Sequence, residues 1–371
     1  MPTVLDAIAT GNPPLRRTQE ETADFMQSIE SLPNALQSRL PALYRGSAIE
    51  SRYTCIEDYG RDDPDDFTFF PQSWTLEPAP TTEERNEHYR ESVVPLAEDV
   101  AQRALDQAEV APGEITHVVA VSCTGFFAPG LDVELVKRLD LPPTTQRTFI
   151  GFMGCYAAFN ALRVADSFCQ SHPEARVLVV CAELCTLHFQ VEDSLESVVV
   201  NSLFSDGAAA AVLSSRSGAE AAGRMAYVDG RCHLDDDSME DMTWAIGDTG
   251  FKMGLSARVP DVVGENLPAY VDDLLGAHGL DRDDPDFWAI HPGGRRIVEG
   301  ARETLALSEA DVADSLAVLR RYGNMSSPTI LFVLKRILEN GAGGDGAPPE
   351  HGMAMAFGPG LTIEGALFSR V

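Results

Sequence analysis

The run Gly151-Phe-Met-Gly-Cys-Tyr-Ala-Ala-Phe-Asn-Ala-Leu-Arg163 places a cysteine between an apolar segment and a helix-forming one. The preceding residues, Thr148 to Ile150, predict the end of a strand, and the small and apolar residues after Cys155 predict a helix. Unpaired N–H groups at a helix N-terminus favour negative charge, so this position predicts a thiolate able to attack acyl groups. The alternative is a buried, inert cysteine, because free cysteine is often a core residue.

A second copy of this pattern lies in the other half of the chain. In each copy a glycine and a polar residue precede small residues that open an apolar helix, and the two copies are offset by 169 residues. An upstream strand and a downstream strand have matching partners in the same order. The matched pairs are 119–125 with 287–293, 154–164 with 323–333, and 206–213 with 362–368.

These pairs predict a duplicated α/β unit, with one half at 1–222 and the other at 223–371. In two halves related by pseudo-two-fold symmetry, Cys155 and Asn324 would begin equivalent helices, and His291 would end a strand. The three side chains are therefore predicted to converge at the centre. The alternative is a chance likeness between two ordinary strand–turn–helix units.

Composition bounds the class of protein. A chain of 371 residues, 44% of them hydrophobic, can bury a large core. The sequence has neither a long apolar run nor a signal-like start, which predicts no membrane span and a cytoplasmic location. The seven cysteines lack the spacing of a disulfide framework, and the net charge of −29 argues against a nucleic-acid partner.

The charge is strongly unbalanced, with 57 acidic and 28 basic residues, and the lysines are Lys137, Lys252 and Lys335. This excess suggests a cytoplasm of high ionic strength, where self-repulsion is screened. The acidic runs at 57–66 and 281–286 are predicted to be solvated loops. A calcium loop is disfavoured because position twelve from the start of the second run is not a glutamate.

Strand-like and helix-like segments alternate, which predicts an α/β fold with a mostly parallel sheet covered on both faces. Residues 19–44 predict a helical N-terminal arm, interrupted at Pro33 and Pro41. Strands are predicted at 116–122, 147–151, 176–183, 208–214 and 287–290, and helices at 82–108, 131–139, 155–169, 262–278, 308–320 and 325–339. The Gly- and Pro-rich residues 341–349 predict an exposed loop, followed by two closing strands.

Five motifs in order resemble one family. They are Gly-Cys155 opening a helix, Leu203-Phe204-Ser-Asp-Gly-Ala-Ala-Ala210, Trp288-Ala-Ile-His291-Pro-Gly-Gly294, Tyr322-Gly-Asn324-Met-Ser-Ser327 and Ala356-Phe-Gly-Pro-Gly-Leu361. Together they resemble the type III polyketide synthases, the chalcone and stilbene synthase family of the thiolase superfamily, with bacterial-type features. The resemblance runs from about residue 20 to the C-terminus. It implies a thiolase-like fold of five layers, αβαβα, made of two duplicated halves, and a homodimer.

The resemblance implies that Cys155 carries the acyl group as a thioester, with an imidazolium at His291 lowering the thiol pKa. His291 and Asn324 would donate hydrogen bonds to the thioester oxygen while malonyl-CoA loses carbon dioxide. That loss creates the carbanion directly, so two donors at the enolate oxygen, each contributing on the order of 3 kcal/mol, replace a strong base. The motifs place no carboxylate there. The alternatives are a core histidine and a helix N-cap asparagine.

The substrate cavity is predicted from the same resemblance. Phe204 matches an aromatic residue that separates the CoA arm from the cavity and presents an apolar wall favouring decarboxylation. The predicted cavity residues are Phe204, Cys123, Cys185, His188, Val200, Met253, Phe357 and Ser326. Threonines in the plant relatives are replaced by Cys123, Cys185 and His188, a glycine by Val200 and a phenylalanine by Met253. A flavonoid-type product is therefore not expected.

The substrates implied are acyl-CoA and malonyl-CoA, with no other cofactor. Arg39, Arg45, Arg295 and Arg296 are candidates for binding the CoA phosphates, and the alternative is that they are solvated surface residues. No metal is expected, because a zinc set of Cys123, Cys155, Cys181 and Cys185 lacks a matching second pair of ligands.

The predicted reaction begins with a starter, favoured to be a fatty acyl-CoA, on Cys155. Two or three malonyl extensions and cyclisation would give a pyrone or resorcinol-type product. The alternatives within the superfamily are a tetrahydroxynaphthalene synthase and a priming-type ketoacyl-ACP synthase. The non-enzyme alternative is an acyl-CoA-binding scaffold.

Overall fold

Two matching sets of strands form the centre of the molecule in a computed structural model that describes residues 1–340 and 349–371. The strands are β1 (Thr3–Gly11), β2 (Leu15–Thr18), β3 (Ser51–Thr54), β4 (His117–Ser122), β5 (Gln146–Gly151), β6 (Arg176–Leu184), β7 (Asp206–Ser215), β8 (Met225–Leu234), β9 (Met242–Gly247), β10 (Gly250–Leu255), β11 (Phe287–Ile290), β12 (His351–Gly358) and β13 (Thr362–Arg370). The predicted loop at 341–349 lies outside the described residues, apart from Pro349.

Helices follow the strands in the order expected for an α/β chain. They are α1 (Gln19–Ser28), α2 (Asn34–Gln37), α3 (Leu40–Gly46), α4 (Thr82–Ala108), α5 (Leu131–Arg138), α6 (Ala157–Ser171), α7 (Leu195–Leu203), α8 (Val259–Gly276), α9 (Arg295–Thr304), α10 (Ala313–Tyr322) and α11 (Thr329–Asn340). In the described part of the chain, no helix is both long and apolar enough to cross a membrane.

The strand order confirms the duplication. The nine-stranded sheet runs β5-β4-β6-β7-β1 and continues as β8-β13-β12-β11. Pairs β4–β6 and β11–β12 are parallel, whereas β6–β7, β12–β13, β7–β1 and β13–β8 are antiparallel. Each strand of the second set therefore has an equivalent in the first. The two sets meet where β1 pairs with β8 at Thr3–Tyr227 and Val4–Ala226. The boundary at residues 222 and 223 stays a prediction.

The alternation of side chains along each strand produces the five layers. In β4, Val118 packs on the outer side with α4, and Val119 packs on the inner side with α6 and α11. In β12, Ala354 faces the same inner helices, while Met353 packs outward with α8. The layers are thus outer helices, first strands, central α6 and α11, second strands and outer helices, which is the αβαβα arrangement.

The N-terminal segment differs from the predicted arm. Its helices do break at the prolines. However, Phe25 and Met26 of α1 are buried in the same core as Tyr59 and Phe67, and so is Ile29, directly after α1. Aromatic packing explains this, since the rings of Phe25 and Tyr59 lie 4.6 Å apart. Residues 19–44 are therefore part of the first half's core.

Candidate active site

Cys155 lies in a single 3-10 turn, Gly154–Tyr156, between β5 and α6. It is buried, with 7% of its surface exposed. Gly154 has φ +76°, and a Cβ atom there would lie 2.3 Å from Pro359 Cδ, so the turn requires glycine. A Cβ atom on Gly358 would lie 3.4 Å from the Cys155 backbone nitrogen. The carboxyl end of β12 therefore packs directly on the cysteine.

His291 lies at the carboxyl end of β11, the strand next to β12 in the sheet. Its backbone N–H donates to the Met355 carbonyl of β12 at 2.8 Å. The side chain is 1% exposed, and neither ring nitrogen has a hydrogen-bond partner among the described residues. A buried imidazole whose two nitrogens are unsatisfied is costly, which is typical of a group that binds or reacts with a ligand.

Asn324 lies in the turn before α11, and its carboxamide has a fixed orientation. Its Oδ1 accepts the Ser326 backbone N–H at 2.8 Å, which leaves Nδ2 as the donor. Nδ2 donates to the Gly293 carbonyl at 3.2 Å, two residues after His291. Because α11 begins only at Thr329, Asn324 is not its N-cap. The remaining N–H of the amide is available to a partner.

These contacts bring the three predicted residues to one edge of the sheet. The side chains of Asn324 and Ser326 lie close enough to the Cys155 thiol to lower its pKa. Asn324 is joined to the His291 turn through Gly293. The duplicated motifs thus bring Asn324 close both to Cys155 and to the turn that follows His291.

Burial acts against the predicted thiolate and imidazolium. Burial raises the pKa of the Cys155 thiol to about 11, although the hydrogen bonds from Ser326 and Asn324 act in the opposite direction. Burial lowers the pKa of His291 to about 3. Removing either group from water disfavours its charged form, and this outweighs the helix N-terminus. Burial therefore favours the neutral form of each side chain.

Glu183 is a buried carboxylate that the motifs did not indicate. It lies at the end of β6, is 0% exposed, and accepts hydrogen bonds from Ser327 Oγ at 2.6 Å and Thr124 Oγ1 at 2.8 Å. Burial raises its pKa. Its charge raises the pKa of the Cys155 thiol as well. The motifs therefore did not account for this carboxylate near the thiol.

A cavity of about 330 Å³ opens beside the thiol. Of the predicted cavity residues, those that line it are Cys123, Cys185, His188, Val200, Phe204, Met253 and Ser326. Its wall also includes Trp244 and Phe251, whose side chains pack with His188; the imidazole stacks on Phe251 with ring centres 4.1 Å apart. His188 Nε2 donates to the Thr124 carbonyl at 2.7 Å, and Nδ1 accepts the Phe251 N–H at 3.0 Å.

Phe357 lies elsewhere. It is 3% exposed and packs in the outer core of the second half with Met353 and Met355. Odd-numbered residues of β12 point to that side, and even-numbered residues point to the centre. The placement of Phe357 in the cavity wall is corrected accordingly.

The four candidate CoA arginines are exposed. Arg39 is the N-cap of α3 and Arg45 lies in its last turn. Arg295 and Arg296 open α9, where Arg295 pairs with Glu299 at 2.6 Å. None belongs to the cavity wall formed by the described residues. Their binding of CoA stays a prediction. Among the described residues, no group of three or more His, Cys, Asp or Glu side chains could hold a metal.

Sequence reasoning missed several residues that shape the site. A signal existed for Glu183, since a charged residue ends the otherwise apolar strand β6. Arg52, Trp244 and Phe251 also line the cavity but lie outside the five motifs. Their positions depend on contacts between distant segments, which no local pattern reveals.

Comparison with known proteins agrees with this geometry. Residues 2–217 match the N-terminal domain and residues 235–371 the C-terminal domain of the chalcone and stilbene synthases. The chain belongs to the chalcone and stilbene synthase family. It is a type III polyketide synthase and hence an acyltransferase.

Individual relatives of this family are moderately similar. The alpha-pyrone synthesis polyketide synthase-like Pks18 of Mycobacterium tuberculosis is 35% identical, with 98% of this chain and 90% of that protein covered. The 1,3,6,8-tetrahydroxynaphthalene synthase of Streptomyces coelicolor is also 35% identical, over 78% of this chain and 75% of that protein. The crystal structure of PKS-I from the brown alga Ectocarpus siliculosus superposes with a TM-score of 0.92 at 38% identity, covering 100% and 98% of the chains.

Proposed function

We propose that this type III polyketide synthase loads a fatty acyl-CoA starter on Cys155, extends it with malonyl-CoA and cyclises the product to a pyrone or resorcinol. The observation that supports the proposal is that Cys155 lies in the wall of a largely apolar cavity, with Asn324 beside its thiol and joined through Gly293 to the turn that follows His291. The acyl and malonyl groups arrive as CoA thioesters, and the chemistry is performed by the chain's own side chains.

Loading requires the thiol to lose its proton as it attacks. The Cys155 sulfur forms a bond to the thioester carbonyl carbon, and the carbon–sulfur bond to CoA breaks. Both ring nitrogens of His291 are unpaired among the described residues, so the imidazole can accept the thiol proton and deliver it to the departing CoA sulfur. His291 is the proton acceptor of this proposed step.

Extension begins with the loss of carbon dioxide from malonyl-CoA. The bond between the carboxylate and the α-carbon breaks, and its electron pair forms an enolate on the thioester oxygen. The free N–H of Asn324 and a ring N–H of His291 are the donors for that oxygen. The enolate carbon then attacks the Cys155 thioester, and the cysteine sulfur leaves, ready to accept the longer chain.

The starter class is inferred from the cavity wall. Phe189, Phe204, Phe251, Val200 and Met253 present apolar surface, and the volume lies in the usual range of small-molecule sites. A flexible methionine among rigid rings suits a linear chain. The named function of Pks18, to which nearly the whole chain is similar, supports a pyrone product.

A tetrahydroxynaphthalene synthase is the second candidate, because the Streptomyces coelicolor relative with that name is as similar to this chain as Pks18 is, at 35% identity, although over a shorter span. Such an enzyme would need no fatty starter. A panel of acyl-CoA starters with product masses separates the two functions. Product from malonyl-CoA alone, with no incorporation of any fatty acyl-CoA, would contradict the fatty-acyl proposal.

The loading step has a direct test. Intact mass spectrometry after incubation with a fatty acyl-CoA is expected to show one added acyl group on the wild type and none on Cys155→Ala. Cys169→Ala is a matched control, because Cys169 is a buried thiol of α6 outside the cavity wall, and it is expected to load normally. Reversible binding without a covalent adduct on the wild type would instead indicate an acyl-CoA-binding scaffold.

The homodimer and the cytoplasmic location stay predictions. Strand β5 is at the edge of the sheet, and its Phe149 and the nearby Met153 are 38% and 36% exposed. A second copy of the chain, related by a two-fold axis, could cover this edge.

A further inference from the structure

Arg52 of β3 is a buried cation that the proposed reaction does not yet use. The residue is 6% exposed. Its hydrogen bonds among the described residues go to neutral oxygens. The Nε atom donates to Gln19 Oε1 at 2.9 Å, and Nη1 donates to the backbone carbonyls of Asn201 at 2.7 Å and Phe204 at 2.6 Å. A buried guanidinium that spans backbone carbonyls fixes their spacing, because its donors form a rigid planar group.

Four consecutive carbonyls at the end of α7 are bonded from elsewhere in the chain. Arg52 binds the first and the last, Gln19 Nε2 binds that of Ser202 at 2.8 Å, and the Asn324 backbone N–H binds that of Leu203 at 2.9 Å. The last carbonyls of a helix lack partners within it, so these bonds determine where the helix ends. Phe204 is the residue at that end.

The same end of α7 is joined to the turn that carries Asn324. Besides the Leu203 bond, the Ser205 N–H donates to the Asn324 carbonyl at 2.8 Å, so Phe204 and Asn324 form a short parallel bridge. Any movement of the Phe204 segment therefore moves the Asn324 backbone, and with it the amide that faces the thiol.

The start of β3 also contacts the end of α10, just before the Asn324 turn. The Glu50 N–H donates to the Arg320 carbonyl at 2.7 Å, and Ser51 Oγ donates to the Arg321 carbonyl at 2.8 Å. A Cβ atom on Gly323, whose φ is +70°, would lie 3.0 Å from Arg52 Cγ. The aliphatic part of Arg52 thus packs against the residue immediately before Asn324.

We propose that Arg52 is a positioning residue that holds the Phe204 wall and the Asn324 donor in the geometry required for malonyl decarboxylation. The inference rests on the proposed roles of Cys155 and Asn324. It concerns the second step of the reaction and leaves the first unaffected. Arg52 bonds Phe204 directly and is connected to Asn324 through the backbone bonds of Leu203 and Ser205, whereas its hydrogen bonds among the described residues do not include the turn that holds Cys155.

The test separates acyl loading from decarboxylation. Arg52→Gln and Arg52→Lys are compared with the wild type for acyl addition by intact mass and for carbon dioxide release from malonyl-CoA. Loading is expected to stay within about threefold of wild type, while kcat for decarboxylation falls about 10- to 100-fold with little change in KM, since small displacements of a catalytic donor have effects of this size. Arg52→Lys keeps the positive charge but lacks the planar guanidinium, so its kcat for decarboxylation is expected to fall as well.

Arg224→Gln is the matched control, because it removes one positive charge from a pair with Asp6 that is remote from the cavity wall. It is expected to keep both rates. If Arg52→Gln does not fold, as judged by thermal unfolding, Gln19→Leu carries the test, since it removes one partner of Arg52 and the Ser202 bond. Gln19→Leu is expected to load acyl groups normally and to lose less decarboxylation activity than is expected for Arg52→Gln.

The outcomes distinguish this inference from the proposed function. A wild type that neither loads acyl groups nor releases carbon dioxide contradicts the proposed function itself. A wild type active in both steps, with wild-type decarboxylation in folded Arg52→Gln or Arg52→Lys, overturns the positioning role alone. An equal loss of loading and decarboxylation overturns it too, because it indicates general disruption of the site.

Discussion

Charge at individual residues decides how this site works. Burial favours the neutral form of both the Cys155 thiol and the His291 imidazole, so the proposed attack begins with proton transfer from the thiol to the imidazole. A neutral imidazole can take up a proton, which an imidazolium cannot.

His188 gives a prediction about pH. Burial lowers its pKa to about 3, whereas an unfolded histidine has a pKa near 6.5. Between these values the unfolded chain binds the extra proton, so the stability that depends on neutral His188 is lost as the pH falls below about 6.5. His188→Gln removes this titration, and its glutamine can still donate and accept.

The measurement is urea unfolding at several pH values from 5 to 7. The free energy of unfolding is expected to depend on pH less steeply in His188→Gln than in the wild type, by about 1.4 kcal/mol per pH unit. Asp206, whose pKa burial raises to about 6, acts in the opposite direction but is present in both proteins. Parallel curves for the two proteins would contradict the assignment of a neutral buried histidine.

At the level of elements, the turn between α10 and α11 gives a prediction about stability. Gly323 has φ +70°, and an added Cβ would lie 3.0 Å from the Leu203 carbonyl and from Arg52 Cγ. Gly323→Ala is therefore expected to destabilise the protein by about 1–3 kcal/mol, from backbone strain and from separation of the packed segments.

Gly276→Ala is the control for this measurement. Gly276 ends α8 and has nothing within 4 Å of the position of an added Cβ. The same substitution there is expected to be neutral or to stabilise the protein by up to about 1 kcal/mol, since alanine is the better helix former. Denaturant midpoints that fall equally in both variants would show that strain at Gly323 is not the cause.

Several elements were predictable from the sequence, most of them strands that bury a continuous apolar run. The strands β4, β5, β6, β7 and β11 and the helix α4 agree with the predicted bounds to within a few residues. Strand β1 was missed because Asp6 interrupts its pattern; in the structure this carboxylate is buried and pairs with Arg224 at 2.8 Å and Arg216 at 3.3 Å. Such partners come from distant parts of the chain, so they leave no local signal.

The residues of the site also divide into those that the sequence could predict and those that it could not. Cys155, His291 and Asn324 were predictable because the duplication repeats their surroundings, and each ends a strand or opens a helix turn. The role of Arg52 was not, since its partners Gln19, Asn201 and Phe204 come from α1 and α7 and their spacing arises only on folding.

For the whole molecule, the excess of 57 acidic over 28 basic residues gives a prediction about salt. Carboxylates repel one another over about 10 Å at 0.1 M ionic strength but only about 3 Å at 1 M. The melting temperature is therefore expected to rise by several degrees between these two concentrations of sodium chloride. A melting temperature that stays constant or falls would contradict adaptation to a high-salt cytoplasm.

The matched strand order of the two halves bears on how this chemistry could arise. Cys155 and Asn324 occupy equivalent positions, as do Cys123 and His291. A symmetric pair of identical half-length chains would present two sulfurs or two carboxamides, never one of each. Joining both copies in a single polypeptide allows them to diverge, so the separation of nucleophile from hydrogen-bond donor depends on gene fusion.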